Sequence, residues 1–293
     1  MKKNITYSTL GKRADIGEMV IYRLLPNALQ KMIGSFFFLD YIAPVLHSED
    51  EPVKNAGTGA HPHRGIATLS YILAGEDEHF DSVGNYARVH SGGIQWMKAG
   101  KGIIHDETLN PDTFTHSRLT QGFQFWINLP AAHKTDPPEY IAVQGADVPV
   151  AELDANGSWL KVIVGGYMGL RSVIPDYQKQ WLYHLHLAPN AGFSLSLAQG
   201  EESAAVLVNS FAHINDVKIN SSEIVHFDLS QGDIEVSNGN DHFVDVLLFG
   251  GEPYTEPVVA EGPFVMNTQQ EIIQAYHDFH ANKYGTIDYS IKS

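Results

Sequence analysis

The sequence predicts an all-β fold of two tandem barrels followed by a short C-terminal helix. Short segments rich in β-branched and aromatic residues dominate from about residue 18 to residue 250, and Gly, Asn, Asp and Pro separate them. Turns such as Val83-Gly84-Asn85 recur at the spacing of a sandwich or barrel. A looser stretch from Pro130 to Pro149 divides this pattern into two similar halves.

Three runs in the first half have the composition of strands: Glu18–Leu24, Thr68–Leu73 and Gly122–Leu129. In the last run, apolar Phe123 and Phe125 alternate with polar Gln124. Such alternation is typical of a strand with two different faces. We therefore expect the two phenylalanines to line either a barrel core or the wall of a pocket.

The second half repeats the strand pattern over Trp159–Val164, Gly192–Leu197 and Val244–Phe249. Near the C-terminus, Thr268 precedes Glu271 by three residues, which is the spacing of a helix capping box. One helical face then carries Ile272, Ala275, Tyr276 and Phe279. We predict an N-terminal barrel over residues 1–135, and a C-terminal barrel that includes this helix over residues 145–293.

Composition and charge exclude several classes of function. Of the 293 residues, 43% are hydrophobic, which is enough for sizeable cores and too many for a disordered chain. The formal charge of -15 repels phosphate backbones, so we expect no direct binding of nucleic acid. The absence of cysteine excludes disulfides, thiolate metal sites and cysteine nucleophiles. No stretch has the pattern of a signal peptide or a membrane span, so we expect a cytoplasmic protein without membrane contact.

Four potential metal ligands occur as two pairs in the first half. His61 and His63 stand two residues apart, and so do His105 and Glu107, which follow a Gly-rich turn. Because residues i and i+2 of a strand point to the same side, each pair can converge on one point. On facing strands, the two pairs would offer three imidazoles and one carboxylate inside a barrel.

This donor set suits a borderline divalent metal. Neutral imidazoles and one anionic oxygen bind Fe(II), Mn(II), Ni(II), Cu(II) or Zn(II), and the residues alone leave the choice open. Four protein ligands on an octahedral ion leave two adjacent positions for water, dioxygen or a chelating substrate. Glu107 is the candidate catalytic residue, because it could accept a proton from a substrate hydroxyl.

The spacing HxH followed by GxxHxE resembles the two motifs of cupin barrels. The sequence around these motifs and near the C-terminus resembles the pirin family. Residues from about 145 to 240 match the family only in their general pattern of strands and turns. The segments that carry the resemblance are His61–Gly65, Ile94–Gly100, Gly102–His105, Trp126–Pro130 and Gly262–Thr268.

The resemblance implies a bicupin (jelly-roll) fold with one metal in the N-terminal barrel, bound by His61, His63, His105 and Glu107. It also implies Fe(II) as the metal, with quercetin 2,3-dioxygenase activity on flavonol-like aromatic substrates. Other members of the family are regulators that bind transcription factors or metabolic enzymes. The sequence departs from the family at Ala67, where relatives usually carry an acidic residue. Proton transfer that used this carboxylate would therefore be lost.

Two functions follow from this interpretation, and a third is weaker. The first is a dioxygenase that binds a small aromatic substrate through a deprotonated hydroxyl. In the second, the metal and its redox state control a surface that binds a regulator or an enzyme without turnover, and the acidic charge fits a protein partner better than DNA. The third is a sugar isomerase or epimerase, a chemistry that cupin barrels also host, but the sequence lacks a recognisable phosphate cradle.

Other polar residues have simpler interpretations. His184, His186 and His242 faintly repeat the pattern of the first half, but no Glu follows His242 at i+2. We therefore expect the second half to be a degenerate barrel without a metal. His79 could support the metal ligands from behind, but a solvated strand position is the favoured prediction. Strand alternation turns Arg64 away from the metal, so it is predicted to be a surface or ion-pair residue.

Overall fold

The computed structural model describes residues 1–16, 19–48 and 57–292. Its regular structure is almost entirely β-strand, which confirms the all-β class. The predicted strand Glu18–Leu24 begins outside the described residues, and its residues 21–24 lie in the strand Ile21–Leu25.

The first thirteen described strands are β1 (Ile5–Leu10), β2 (Lys12–Arg13), β3 (Ile21–Leu25), β4 (Phe36–Leu46), β5 (His61–His63), β6 (Ile66–Ala74), β7 (Glu76–Asp81), β8 (Tyr86–His90), β9 (Ile94–Lys98), β10 (Ile103–Asn110), β11 (Leu119–Asn128), β12 (Glu139–Val143) and β13 (Val150–Glu152). The remaining described strands are β14 (Trp159–Val164), β15 (Gly166–Tyr167), β16 (Leu170–Arg171), β17 (Gln180–Leu187), β18 (Gly192–Leu197), β19 (Glu202–Leu207), β20 (Phe211–Ile214), β21 (Val217–Asn220), β22 (Glu223–Phe227), β23 (Gly232–Ser237), β24 (Val244–Gly251), β25 (Val259–Glu261) and β26 (Phe264–Met266). The helices are α1 (Gln269–His280) and two short 3-10 turns, Ala131–His133 and Tyr289–Ile291.

The chain forms two units, each built from three separate segments. The first unit contains residues 13–22, 38–147 and 255–293, as far as the structure describes them. The second unit contains residues 1–12, 23–37 and 148–254. In each unit, a large sheet is accompanied by a four-stranded sheet.

These units differ from the predicted domains, 1–135 and 145–293, at both ends of the chain. Strand β1 pairs antiparallel with β22, so the N-terminal strand belongs to the second unit. The C-terminal helix belongs to the first unit, because Ile272 lies in one apolar cluster with Phe264 and the partly buried Ile104. The order of the chain could not reveal either placement, because both depend on pairing and packing between segments far apart in sequence.

The helix itself begins as the sequence predicts. The Thr268 side chain accepts a hydrogen bond from the Glu271 backbone N–H, and the Glu271 side chain accepts one from the Thr268 backbone N–H, which confirms the capping box. On the apolar face, Ile272 and Ala275 are buried.

In the first unit, the four-stranded sheet has the order β5-β10-β7-β8. The large sheet runs β12-β9-β6-β11-β4 within the same unit. Along β10, buried His105 and Glu107 alternate with partly exposed Ile104 and Asp106. This period of two places the predicted ligands on the inner face of the small sheet.

In the second unit, the large sheet has the order β1-β22-β19-β24-β17-β14-β13 and the small sheet β18-β23-β20-β21. One apolar cluster fills the unit, and Trp181, Tyr183 and Leu185 of β17 all belong to it. Because alternate residues of a strand face opposite sides, His184 and His186 lie on the other face of β17.

Gly65 occupies the turn between β5 and β6 and needs the freedom of glycine. Its φ is +79°, and a Cβ atom would lie 2.1 Å from the Val265 carbonyl oxygen. The C-terminal strand β26 therefore lies so close to Gly65 that no side chain would fit there, and Gly65 stands two residues after the predicted ligand His63.

No helix in the described part of the chain is long and apolar enough to cross a membrane.

Candidate metal centre

Two neighbouring strands bring three of the predicted ligands together. β5 and β10 pair antiparallel, with His61 directly opposite His105 and His63 opposite Ile103. His61 and His63 share a face of β5 because they are two residues apart. All three imidazoles therefore project from the same side of the small sheet.

The three rings converge closely. The Nε2 atoms of His61 and His105 are 3.0 Å apart. The ring centroid of His63 lies 4.9 Å from that of His61 and 5.0 Å from that of His105. Two nitrogens that bind one ion at about 2.1 Å and at right angles lie about 3 Å apart, so this spacing fits a shared metal.

Hydrogen bonds fix the orientation of two of these rings. His61 Nδ1 donates to the Gly59 carbonyl over 2.7 Å, and His63 Nδ1 donates to the Pro263 carbonyl over 3.2 Å. A proton on Nδ1 leaves the Nε2 lone pair free for a metal, which is the usual arrangement of histidine ligands.

Burial keeps the imidazoles of His63 and His105 neutral. Burial and the neighbouring charge of His61 lower the pKa of His63 to about 3. Burial, together with the charges of His63 and His61, lowers the pKa of His105 well below its usual value. Neutral imidazole is the form that binds metals, so the chemistry of the cluster fits a divalent cation.

Glu107 lies in the same buried cluster but next to the other nitrogen of His105. Its Oε1 is 3.7 Å from His105 Nδ1 and 3.7 Å from His79 Nδ1. Gln124 Nε2 donates to its Oε2 over 2.9 Å. Burial acts to raise the pKa of Glu107, but the nearby His79 and the hydrogen bond from Gln124 outweigh it, so this pKa is lowered and the carboxylate stays charged.

The structure thus forms two groups of potential ligands that share His105. One contains His61, His63 and His105, and the other contains His79, His105 and Glu107, with ligand atoms within 4.8 Å of one another in each. A proton on His105 Nε2 would leave its Nδ1 lone pair facing a carboxylate, which is unfavourable. A cation beside Nε2 instead places the proton on Nδ1, directed at Glu107. The otherwise unpartnered Nδ1 therefore favours a cation among the three histidines.

His79 was predicted to be solvated, and that prediction is wrong. Its side chain is fully buried, its ring stacks on Tyr140 at 4.1 Å, and its Nε2 lies 3.2 Å from Asp81. The pairing of β7 with β10 places it directly opposite Glu107. The register of β7 against β10 would have revealed that His79 lies opposite Glu107, but the sequence alone does not fix that register.

A small cavity of about 40 Å³ lies beside Glu107 in the first unit. Gln124 and Asp77 contribute polar groups to its lining, and Tyr71 and Phe123 contribute aromatic rings. Phe123 is therefore both buried and part of a pocket wall. Burial and the nearby Glu107 raise the pKa of Asp77 well above its usual value.

The departure from the family at Ala67 does not reach this cluster. Ala67 pairs with Ile127 of β11, while the next residue, Thr68, pairs with Trp126. The Trp126 ring lies 4.9 Å from that of His63. Since successive strand residues face opposite sides, the side chain at position 67 points away from the histidines.

Three other predicted residues have structural roles. Arg64 forms a 2.7 Å ion pair with Asp278, as predicted. In the second unit, His184 Nε2 and His186 Nδ1 lie 2.9 Å and 2.6 Å from the same Asp245 oxygen. Both rings are therefore held on the face of β17 opposite the core. The absence of a metal from this half stays a prediction.

A third group of potential ligands contains Glu76, His90 and Asp112. The Asp112 carboxylate already accepts the Phe114 backbone N–H and lies 3.0 Å from His90 Nδ1, and Glu76 accepts the Thr113 backbone N–H. Because these oxygens are occupied by donors that fix a turn, the group suits structure better than metal binding.

Comparison with protein families matches both halves of the chain. The pirin family model matches residues 18–127, and the model of the pirin C-terminal cupin domain matches residues 182–285. The chain belongs to the pirin family. Pirin-1 of Arabidopsis thaliana is 35% identical to this pirin over 237 residues, which cover 79% of each protein.

Solved structures resemble the pirin over nearly its whole length. A quercetin 2,3-dioxygenase from Acinetobacter baumannii is 29% identical, with a TM-score of 0.89 over 98% of this chain and 100% of that one. A bacterial pirin from Escherichia coli, solved in complex with nickel(II), is 22% identical, with a TM-score of 0.62 over 85% of this chain and 99% of that one. The predicted fold class of two cupin domains with a short helix is therefore confirmed.

Proposed function

We propose that this pirin is a mononuclear non-haem Fe(II) dioxygenase that acts on flavonol-like aromatic substrates such as quercetin. The observation that carries the proposal is the convergence of His61, His63 and His105, with two Nε2 atoms 3.0 Å apart and Glu107 beside them. The likeness to a solved quercetin 2,3-dioxygenase supports the choice of reaction. Manganese, nickel, copper and zinc would also suit these ligands.

The four predicted ligands have different tasks in this proposal. The imidazoles of His61, His63 and His105 hold the ion, and Glu107 is the fourth ligand and the proton acceptor. A bound Fe(II) ion would supply adjacent positions for a substrate oxygen and for dioxygen, and would lower the pKa of the substrate hydroxyl. Glu107 is charged and buried, so it can take up the proton that this hydroxyl releases.

The size of the cavity limits how substrate can bind. A cavity of about 40 Å³ holds one or two water molecules, whereas pockets for drug-sized ligands usually measure about 300–1,000 Å³. Binding of a flavonol therefore requires part of the lining to move outward. Ile16, Met19 and Ile21 are among the aliphatic residues of this lining.

Turnover of quercetin tests the proposal. Glu107 takes the hydroxyl proton, both atoms of dioxygen enter the ring-opened product, and one ring carbon leaves as carbon monoxide. Protein purified without an affinity tag and loaded anaerobically with Fe(II) should bleach the flavonol absorbance when oxygen is added, with release of carbon monoxide. The variant E107Q should bleach more slowly, and H186A in the second unit should match the wild type. Absence of bleaching with every divalent metal would overturn the proposal.

The small cavity favours a second candidate, a metal-dependent regulator that binds a protein partner without turnover. A pull-down with metal-loaded and metal-stripped protein separates the two candidates. A partner retained only by the loaded form, together with no turnover, would support the regulator. The cytoplasmic location inferred from the sequence stays a prediction.

A further inference from the structure

The buried ring of His79 lies between two carboxylates. Its Nε2 is 3.2 Å from Asp81 Oδ2, and its Nδ1 is 3.7 Å from Glu107 Oε1. The Nδ1 atom has no hydrogen-bond partner among the described residues. A carboxylate oxygen faces each nitrogen, so both nitrogens are placed where they can donate to a carboxylate.

Packing and hydrogen bonds fix this ring in place. The His79 ring stacks on Tyr140 with an interplanar angle of 13°, and the Tyr140 hydroxyl donates to Gln95. Asp81 is itself held by Asn85, whose backbone N–H and side-chain Nδ2 donate to it over 2.9 Å and 2.8 Å. The free Nδ1 is therefore a fixed group directed at Glu107.

Glu107 has other partners, and they differ between its two oxygens. Gln124 donates to Oε2, and the Ser70 hydroxyl lies 3.4 Å from both carboxylate oxygens. Oε1 is the atom that lies near both His79 Nδ1 and His105 Nδ1. The position of Oε1 relative to the three-histidine cluster thus depends on His79.

We propose that His79 is a positioning residue of the metal centre: through Nδ1 it holds Glu107 beside the cluster, and Asp81 and Tyr140 hold His79. This inference rests on the proposed metal site. It assigns His79 no direct contact with the metal or the substrate. It predicts that the loss of the Nδ1 donor weakens metal binding, even though all four proposed ligands remain.

Two amide substitutions separate this role from a structural one. The amide nitrogen of asparagine occupies the position of Nδ1 in histidine, because both are attached to Cγ. The amide nitrogen of glutamine lies one atom further along the side chain, at the position of Nε2. H79N therefore keeps the donor to Glu107 and loses the one to Asp81, whereas H79Q does the reverse. H79F keeps an aromatic ring that can stack on Tyr140 and loses both nitrogen donors.

The measurement is the dissociation constant for Ni(II), by competition with a chelator, together with the melting temperature of the metal-free protein. We expect H79Q and H79F to bind Ni(II) about 10–100-fold more weakly than the wild type, as is typical when a group that orients a ligand is lost. H79N should stay within about threefold. Equal weakening of H79N and H79Q, or rescue by H79Q alone, would overturn the inference.

The controls keep this result distinct from failure of the metal site itself. If the wild type binds no Ni(II), or if H105A binds as tightly as the wild type, the proposed site is wrong. If the wild type binds and H79N behaves like H79F, only the role of His79 is wrong. A lower melting temperature of H79N without weaker Ni(II) binding would support the inference. It would show that the contact of His79 with Asp81 stabilises the fold, whereas the donor to Glu107 supports metal binding.

Discussion

Lys134 is buried without a carboxylate partner within ion-pair distance among the described residues, and this makes protein stability depend on pH. The side chain is 1% exposed, and its Nζ lies 2.8 Å from each of the Gly65 and Val265 carbonyl oxygens and beside the Asn128 side-chain oxygen. Burial lowers the pKa of Lys134 from 10.5 to about 7 in the folded protein. An unfolded chain restores the ordinary pKa.

The sign of the effect follows from these two pKa values. As the pH falls from about 10.5 to about 7, the unfolded chain takes up a proton at Lys134 and the folded protein does not. The free energy of unfolding therefore falls over this range and stops falling below the folded pKa. Each pH unit contributes about 1.4 kcal/mol, so between pH 9 and pH 7 the loss is about 2 kcal/mol after allowance for partial protonation at pH 7.

K134M should remove this dependence. Chemical denaturation of wild type and variant, both stripped of metal with a chelator, gives the free energy of unfolding at pH 7, 8 and 9. We expect the variant to be less stable at pH 9 by about 2 kcal/mol, because it removes the two N–H donors of the neutral amine at about 1 kcal/mol each. The deficit should shrink by about 2 kcal/mol at pH 7.

A matched control is K101M, which makes the same substitution at an exposed lysine. The same measurement on K101M gives the effect of replacing an exposed lysine, and the groups common to both proteins cancel in each comparison. A constant difference between K134M and the wild type would refute the reasoning and show that Lys134 is charged at pH 9 despite its burial.

Three further predictions concern the metal centre and its surroundings. H105A should abolish binding of one metal ion per chain, measured by elemental analysis, because His105 belongs to both groups of ligands; retained stoichiometry would contradict this. H186A should leave the metal content unchanged, since that ring is held by Asp245 in the second unit; a loss of metal would place a site there. G65A should lower the free energy of unfolding by about 2 kcal/mol or more in denaturant titrations, because a Cβ would collide with the Val265 carbonyl; an unchanged midpoint would show that β26 can retreat.

Local patterns in the sequence predicted much of the fold and part of the site. The i, i+2 spacing of His61 and His63 and of His105 and Glu107 follows from strand geometry alone, so a shared face could be predicted. The capping box at Thr268 is likewise a local feature. Which strands pair is not local, and for this reason the sequence did not place His79 opposite Glu107.

For the same reason, the sequence could not show on which unit the first strand and the C-terminal helix pack. The strand β1 and the helix α1 lie at opposite ends of the chain, and each packs with the unit farther from it in sequence. Hydrophobic periodicity shows that α1 has an apolar face but not which surface covers it. Burial also could not be predicted at Lys134, because its nearest acceptors are carbonyl groups at positions 65 and 265.

The carbonyl of Pro263 that orients His63 has a consequence for biosynthesis. During translation, His61, His63 and His105 leave the ribosome long before Pro263 is made, so the nascent chain exposes these imidazoles without the partner that fixes the His63 tautomer. A fragment that ends before residue 255 would lack this contact and the Arg64–Asp278 ion pair. Completion of the candidate metal centre would thus come late, and tight binding of a metal would wait until the unit that contains it is complete.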